Sequence, residues 1–152
     1  ENVTMIGQDL HNTLRYTLAL APAANANLGT TPLVSAIIDT ADALATEFVI
    51  ITGTLSDADA VYSVLLEEGD NSALSDNAAV ADADMLPSGT GQEAAAGFTF
   101  ANDSVVKTLG YVGIKRYLRL TITPTTTADS GNTPIAVLAV QKPRARANVL
   151  GS

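Results

Sequence analysis

Apolar and polar residues alternate along about eight short stretches of this chain, the period expected of β-strands. In TLRYTLAL, residues 13 to 20, every second side chain is apolar: Leu14, Tyr16, Leu18 and Leu20. This stretch is predicted to be a half-buried strand with these four side chains on its apolar side. The other strand candidates are LVSAIID (33–39), EFVIITGTL (47–55), VYSVLLEE (61–68), FTFAND (98–103), SVVKTLGYVG (104–113), IKRYLRLTITP (114–124) and PIAVLAVQ (134–141).

This strand pattern, without a long helical stretch between the candidates, predicts an all-β protein. We expect a jelly roll or β-sandwich of roughly eight strands, with long loops and at most a short helix. The chain has 152 residues, the usual size of one domain, so residues 1–152 are predicted to form a single β-sandwich domain. Residues 1–12 are expected to be an extended N-terminal arm, and residues 142–152 an extended basic tail.

The connections between strands predict which strands are neighbours. Residues 47–55 and 61–68 are separated by SDADA, a run of turn-forming residues, which indicates a hairpin. Residues 104–113 and 114–124 are likewise predicted to form a strand pair. Residues 69–97 are the long irregular part, with a possible short helix from Ala78 to Met85 capped by Asp76 or Asn77.

Charge is unevenly distributed along the chain. The net charge is −8, but residues 1–103 hold fifteen acidic side chains and one cation, whereas residues 104–152 hold seven cations and one acid. Such asymmetry can mark an interaction surface. A strongly negative net charge disfavours nucleic acid as a partner. The apolar stretches are far too short to span a bilayer, so no membrane partner is expected.

The residues that could carry chemistry form no convincing set. Cysteine is absent, which excludes disulfides, thiolate zinc sites and a cysteine nucleophile. His11 is the only histidine, and no G-x-S-x-G motif accompanies it. The acidic turns DADAVYSVLLEE and DADMLPSGTGQE lack the ligand spacing of a calcium loop, and a carbohydrate site would require aromatic platforms in a chain without Trp. We therefore predict a non-enzyme with no catalytic residues, no metal site and no cofactor.

The cations in IKRYLRL are the more informative feature. Strand alternation places Lys115, Tyr117 and Arg119 on one side, and Arg116 on the other side with Leu118 and Leu120. A charge on an apolar face requires a partner, either an acid of the same chain or a residue across a subunit contact. A groove for nucleic acid would have more cations and stacking aromatics. The predicted interface residues are Lys115, Arg116, Arg119, Lys142, Arg144 and Arg146.

Three segments are similar to a known family: ITGTLSDADAVYSVLLEEGDN, LGYVGIKRYLRLTITPTTTADSGN and IAVLAVQKPRARANV. Over roughly residues 47 to 148 the chain resembles small structural proteins of tailed bacteriophages, and GYVGIKRYLR is the most specific match. In that family a glycine follows the turn aspartate of the first segment. This chain has DADA there, so the turn is expected to differ.

The resemblance implies a capsid cement or decoration protein of jelly-roll type, located in the virion on the capsid exterior and made in the host cytoplasm. It implies a homo-oligomer, expected to be a trimer, that clamps neighbouring subunits of the major capsid protein. A head–tail connector or tail protein remains an alternative. So does a carbohydrate-binding host-adhesion module on the same β-scaffold.

Overall fold

The computed structural model describes residues 10–22, 31–124 and 131–144, and the regular structure within these ranges is mainly β-strand. Six strands contain six residues or more: β1 (Arg15–Leu20), β4 (Ala43–Thr52), β5 (Val61–Gly69), β9 (Val106–Tyr111), β10 (Tyr117–Pro124) and β11 (Ile135–Pro143). Five strands contain two residues each: β2 (Leu33–Val34), β3 (Ile38–Asp39), β6 (Ala78–Ala79), β7 (Met85–Leu86) and β8 (Phe98–Thr99). The helices are short: α1 (Leu10–Thr13), α2 (Gln92–Ala96) and a 3-10 turn (Asp82–Asp84).

The strands form two antiparallel sheets, which confirms the predicted all-β sandwich. Sheet A has the strand order β1-β11-β4-β9-β7. Sheet B has the order β2-β10-β5-β6, with β3 also paired to β10 and β8 to β5. Every pairing is antiparallel.

One hydrophobic core lies between the sheets, and strand alternation supplies it. On β10, Leu118, Leu120 and Ile122 are fully buried while the residues between them are half exposed. Phe48 and Ile50 on β4 contribute from the opposite sheet. Because large aliphatic and aromatic side chains from both sheets share this space, neither sheet can bury its inner face without the other.

The predicted hairpin of residues 47–55 and 61–68 is wrong. Strand β4 belongs to sheet A, between β11 and β9, whereas β5 belongs to sheet B beside β10. The connection between them crosses from one sheet to the other and buries Leu55 and Ala60 on the way. The amide of Leu55 donates to Oδ1 of Asp103 at 2.7 Å. A hairpin loop exposed to solvent would leave those apolar side chains in water, so the crossing is favoured.

The predicted pairing of residues 104–113 with 114–124 is also wrong. Strand β9 lies in sheet A and β10 in sheet B, so residues 112–116 form a second crossover between the sheets. Strand β9 pairs with β4 and β7, and β10 pairs with β5. In these positions Leu109 of β9 and Leu118 and Leu120 of β10 are buried in the shared core.

The helix expected over residues 78–85 is replaced by shorter elements. Strand β6, the 3-10 turn and β7 follow one another there, because Val80 and Met85 are both held in the core. The amide of Val80 donates to the carbonyl of Leu66 at 2.9 Å, which ties this segment to β5. The short helix lies later, at α2, where Oε1 of Glu93 accepts the amide of Leu66 at 2.6 Å.

The two ends of the chain lie partly outside the described residues. Of the arm predicted over 1–12, residues 10–12 lie in the single turn of α1, where an extended arm was expected, and 1–9 are outside the description. Of the tail predicted over 142–152, Lys142 and Pro143 complete β11. Arg144 follows them, and residues 145–152, with Arg146, are outside the description.

Candidate interaction surface

Arg119 forms a cross-strand ion pair on the outer side of sheet B. Its Nη2 lies 2.8 Å and its Nε 2.9 Å from Oε2 of Glu67, the residue directly opposite on β5. The other carboxylate oxygen of Glu67 accepts a hydrogen bond from Nδ2 of Asn77. The two side chains are 26% and 11% exposed, so this pair is the most shielded of the three ion pairs between described residues. It fixes the register of β10 on β5.

Arg116 lies just before β10 and not on its apolar face, contrary to the alternation argument. The strand begins at Tyr117, so the Arg116 side chain is 53% exposed. It donates from Nε to Oδ1 of Asp39 at 3.0 Å and from Nη2 to Oδ2 at 2.9 Å, and its guanidinium lies 5.0 Å from the Tyr117 ring centroid. The sequence predicts either an acid of the same chain or a residue of another subunit as the partner of Arg116. The structure shows the first, Asp39. The guanidinium of Arg116 lowers the pKa of the Asp39 carboxyl below its usual value.

The second crossover, residues 112–116, is held firmly between the sheets. The buried hydroxyl of Tyr111 donates to Oε2 of Glu68 at 2.6 Å and accepts the amide of Lys115 at 2.8 Å. Burial, followed by the hydrogen bond to Glu68, raises the pKa of Tyr111. Thr40 donates its hydroxyl to the carbonyls of Lys115 and Arg116, at 3.1 and 3.0 Å.

Gly113 is required by the close approach of this crossover to the Tyr111 ring. A Cβ at Gly113 would lie 2.5 Å from the Tyr111 hydroxyl oxygen and 2.6 Å from two ring carbons. No larger residue fits there unless the ring moves. The crossover is therefore a preformed loop whose backbone conformation depends on one aromatic side chain.

This loop presents apolar side chains to solvent at one end of the sandwich. Ile114 is 97% exposed, and Leu44 and Val112 are also exposed beside it. Together they line a depression of about 400 Å³ with Lys115, Arg116 and Arg144. Lys115 is tied to Asp70, with Nζ 2.5 Å from Oδ2, but remains exposed. We call this group of three aliphatic and three cationic residues the tip.

The structure thus brings together three of the predicted interface residues, and Lys142 lies nearby on β11, where it lines a neighbouring groove with Val112. Arg119 lies on the outer side of sheet B and does not join them. Arg146 falls outside the described residues.

The outer side of sheet A is the largest feature that the sequence reading missed. We call it the A face; its residues are Tyr16 and Leu18 on β1, Ala136, Leu138, Val140 and Lys142 on β11, Glu47, Val49 and Ile51 on β4, Val106, Thr108 and Gly110 on β9, and Leu86 on β7. Only Glu47, Thr108 and Lys142 among them have polar side chains. Such a large apolar surface is unusual on a protein without a partner.

Strand β1 buries the opposite side from the one that the sequence predicted. Tyr16 and Leu18, expected on the buried side, are 55% and 54% exposed, and Ala19 is buried instead. The register with β11 sets Leu18 opposite Leu138, whose neighbours Val137 and Ala139 fill the core. The signal available in the sequence was β11 itself, which is apolar on both sides, as is typical of strands that are covered on both faces.

The outer side of sheet B is different in character. Its central strand β10 presents Tyr117, Arg119, Thr121 and Thr123, which are half exposed. The facing strand β5 presents Glu67, Ser63 and the exposed Leu65. Val61 on β5 and Val34 on β2 are also exposed there, so the outer side of sheet B mixes polar and aliphatic side chains, whereas the A face is mostly apolar.

The described residues offer little else of a chemical kind. They contain no group of three or more histidine, cysteine or acidic side chains placed to hold a metal ion. His11 is exposed on α1. A helix long and apolar enough to cross a membrane is also absent from that part of the chain.

Comparison with known proteins found no match to this chain among family models, curated proteins or solved structures.

Proposed function

We propose that this chain is a viral structural protein, a cement or decoration protein that binds the outside of a phage head. It would self-associate, as the trimer that the resemblance implies, and clamp neighbouring subunits of the major capsid protein. The observation that carries the proposal is the A face, because an exposed apolar sheet of this kind favours a protein partner. The resemblance of GYVGIKRYLR to phage structural proteins supplies the class of partner.

Stabilisation follows from binding to the assembled shell. A protein that binds the intact lattice and not its separated subunits shifts the equilibrium towards the lattice. An oligomer with one contact per copy gains affinity through effective concentration, so each contact need only be weak. No reacting group is required of such a protein.

The tip supports the proposal as the contact with the shell. Its loop is fixed by Tyr111, Thr40 and the ion pairs, so presenting Ile114 to a partner costs little further conformational entropy. A single aliphatic anchor in a partner pocket, surrounded by polar contacts, is a common arrangement at interfaces. Arg144 supplies a cation at its rim.

The test is co-sedimentation of the purified protein with expanded empty heads built from the major capsid protein of the same genome. We expect saturable binding and heads that resist heat longer. The Ile114→Asp variant should bind at least ten-fold more weakly, since a charge would enter an apolar pocket. Val34→Asp, an exposed position on the edge of sheet B, is the matched control and should bind normally.

Purified tails from the same phage form a second arm of the experiment. Binding to heads and not to tails supports a head decoration protein. Binding to tails alone would instead support the tail alternative. A folded protein that binds neither would contradict the proposal.

A further inference from the structure

We propose that the A face is the surface through which copies of this chain associate. The inference deepens the proposed function by naming its self-association surface, and it rests on that function only for its biological purpose. Three observations carry it: the size of the face, its charge, and the arrangement of its two charged residues.

The size of the A face suits an interface between subunits. Strands β4 and β11 contain ten and nine residues, and five strands lie side by side. The five strands contain 10, 9, 6, 6 and 2 residues, so at about 3.3 Å per residue and about 4.8 Å between strands the sheet covers roughly 500 Å². One partner in a specific interface buries about 800 Å². The apolar side chains of this face therefore provide most of one subunit's share.

The charge of the A face favours another copy over a charged partner. The chain carries a net charge of −8, so two copies repel each other across most orientations. On the A face the formal charges are one acid, Glu47, and one base, Lys142, which cancel. Two copies can therefore approach through this face without net repulsion, whereas a strongly basic or acidic partner would find no complementary charge there.

The two charged residues are placed for exchange between copies. Glu47 lies on the central strand β4 and is opposite Val140, while Lys142 lies two residues further along β11. Within the described residues neither side chain has a hydrogen bond or an ion pair. In a closed symmetric assembly the same surface is repeated, so Lys142 of one copy can meet Glu47 of the next within the apolar contact.

Light scattering on face variants tests the inference. The wild-type protein should have the mass of an oligomer of 15.6 kDa chains. Leu18→Lys and Val106→Lys, on opposite sides of the A face, should each reduce the mass to that of a monomer with an unchanged circular dichroism spectrum. Leu65→Lys, the same kind of change on the outer side of sheet B, should leave the oligomer intact.

Charge reversal gives a second measurement at positions that are already charged and exposed, where folding is not at risk. Glu47→Lys and Lys142→Glu should each shift the dissociation constant of the oligomer upward by at least ten-fold. The double reversal should restore it. A monomeric wild-type protein at every concentration, or face variants that keep the wild-type mass, would overturn the inference.

The outcomes separate this inference from the proposed function. An oligomer that face variants dissociate, but that binds no heads, would leave the inference standing and contradict the cement role. If the protein binds heads but its face variants keep the wild-type mass, the cement role would stand and the inference about the A face would be contradicted.

Discussion

At the scale of single residues, the three cations of IKRYLRL have three different surroundings. Arg119 is shielded and lies opposite Glu67 within a sheet, Arg116 holds Asp39 across an exposed gap, and Lys115 reaches Asp70 in solvent. Exposed ion pairs contribute little to stability, because water competes for both charges and holding the two side chains in place costs conformational entropy. The pair that water reaches poorly is therefore expected to contribute most to folding stability.

Replacing Arg119 by Met should lower the free energy of unfolding by about 1–3 kcal/mol, because Glu67 would stay partly buried with Asn77 as its remaining partner. Urea denaturation measures the change. Arg116→Met is the matched control, and a much smaller change is expected from it. Equal losses in the two variants would contradict the argument from burial.

The ion pair of Asp39 predicts part of the acid sensitivity. Because Arg116 lowers the folded-state pKa of Asp39, the pair's contribution is complete above the usual aspartate pKa of about 3.9 and is lost as pH falls through the lowered value. Asp39→Asn should flatten the loss of stability between about pH 5 and pH 2, by a small amount because the carboxylate is half exposed.

Urea midpoints measured across that pH range test this prediction. Asp59→Asn provides the control, since Asp59 is exposed and has no side-chain partner among the described residues. An unchanged slope in the Asp39 variant would show that the pair contributes nothing on acidification.

At the scale of elements, the two crossovers between sheets determine the architecture. Residues 53–60 lead from β4 to β5, and residues 112–116 lead from β9 to β10. The second crossover follows directly after Tyr111, whose ring is buried. The Tyr111 hydroxyl donates a hydrogen bond to the Glu68 carboxylate and accepts one from the Lys115 amide. The conformation of the tip therefore depends on a side chain that precedes it.

Tyr111→Phe should lower the free energy of unfolding by about 1–3 kcal/mol, because the Lys115 amide and the Glu68 carboxylate both lose a partner while the ring still packs. Hydrogen exchange at the Lys115 amide should also become faster. Tyr16→Phe removes a hydroxyl from an exposed side chain and should change neither quantity. A Tyr111 variant with unchanged hydrogen exchange at the Lys115 amide would contradict the proposed role of the Tyr111 hydroxyl in holding the second crossover.

At the scale of the whole molecule, both sheets depend on one core. Phe48 and Ile50 from sheet A and Leu118 and Leu120 from sheet B belong to the same buried cluster. Neither sheet has a second core of its own within the described residues. The two sheets should therefore unfold together.

Leu120→Ala should lower the free energy of unfolding by about 2–5 kcal/mol, since Leu120 is fully buried and its truncation leaves a cavity. Amide exchange should become faster in sheet A as well as in sheet B, although the change lies in sheet B alone. Leu44→Ala, at an exposed position of the tip, should have little effect. Faster exchange confined to sheet B would show that the sheets unfold separately.

The sequence by itself determined the class of fold, because a period of two in side-chain burial is a local property of extended backbone. Strands β4, β5, β10 and β11 lie close to where alternation placed them. It also located the cations of the tip, since Lys115, Arg116 and Arg144 all come from the basic part of the chain.

Only the tertiary structure decided which strands pair and which side of each strand is buried. Sequence neighbours β4 and β5 lie in different sheets, where β4 pairs with β11 and β9 and β5 pairs with β10. Tyr16 and Leu18 face outward because the register with β11 places them there. The alternation along β1 alone does not determine which side of the strand is buried. The A face is the consequence: it joins residues from five strands whose neighbours in space are remote in sequence, so the local pattern could show only that β11 is apolar on both sides.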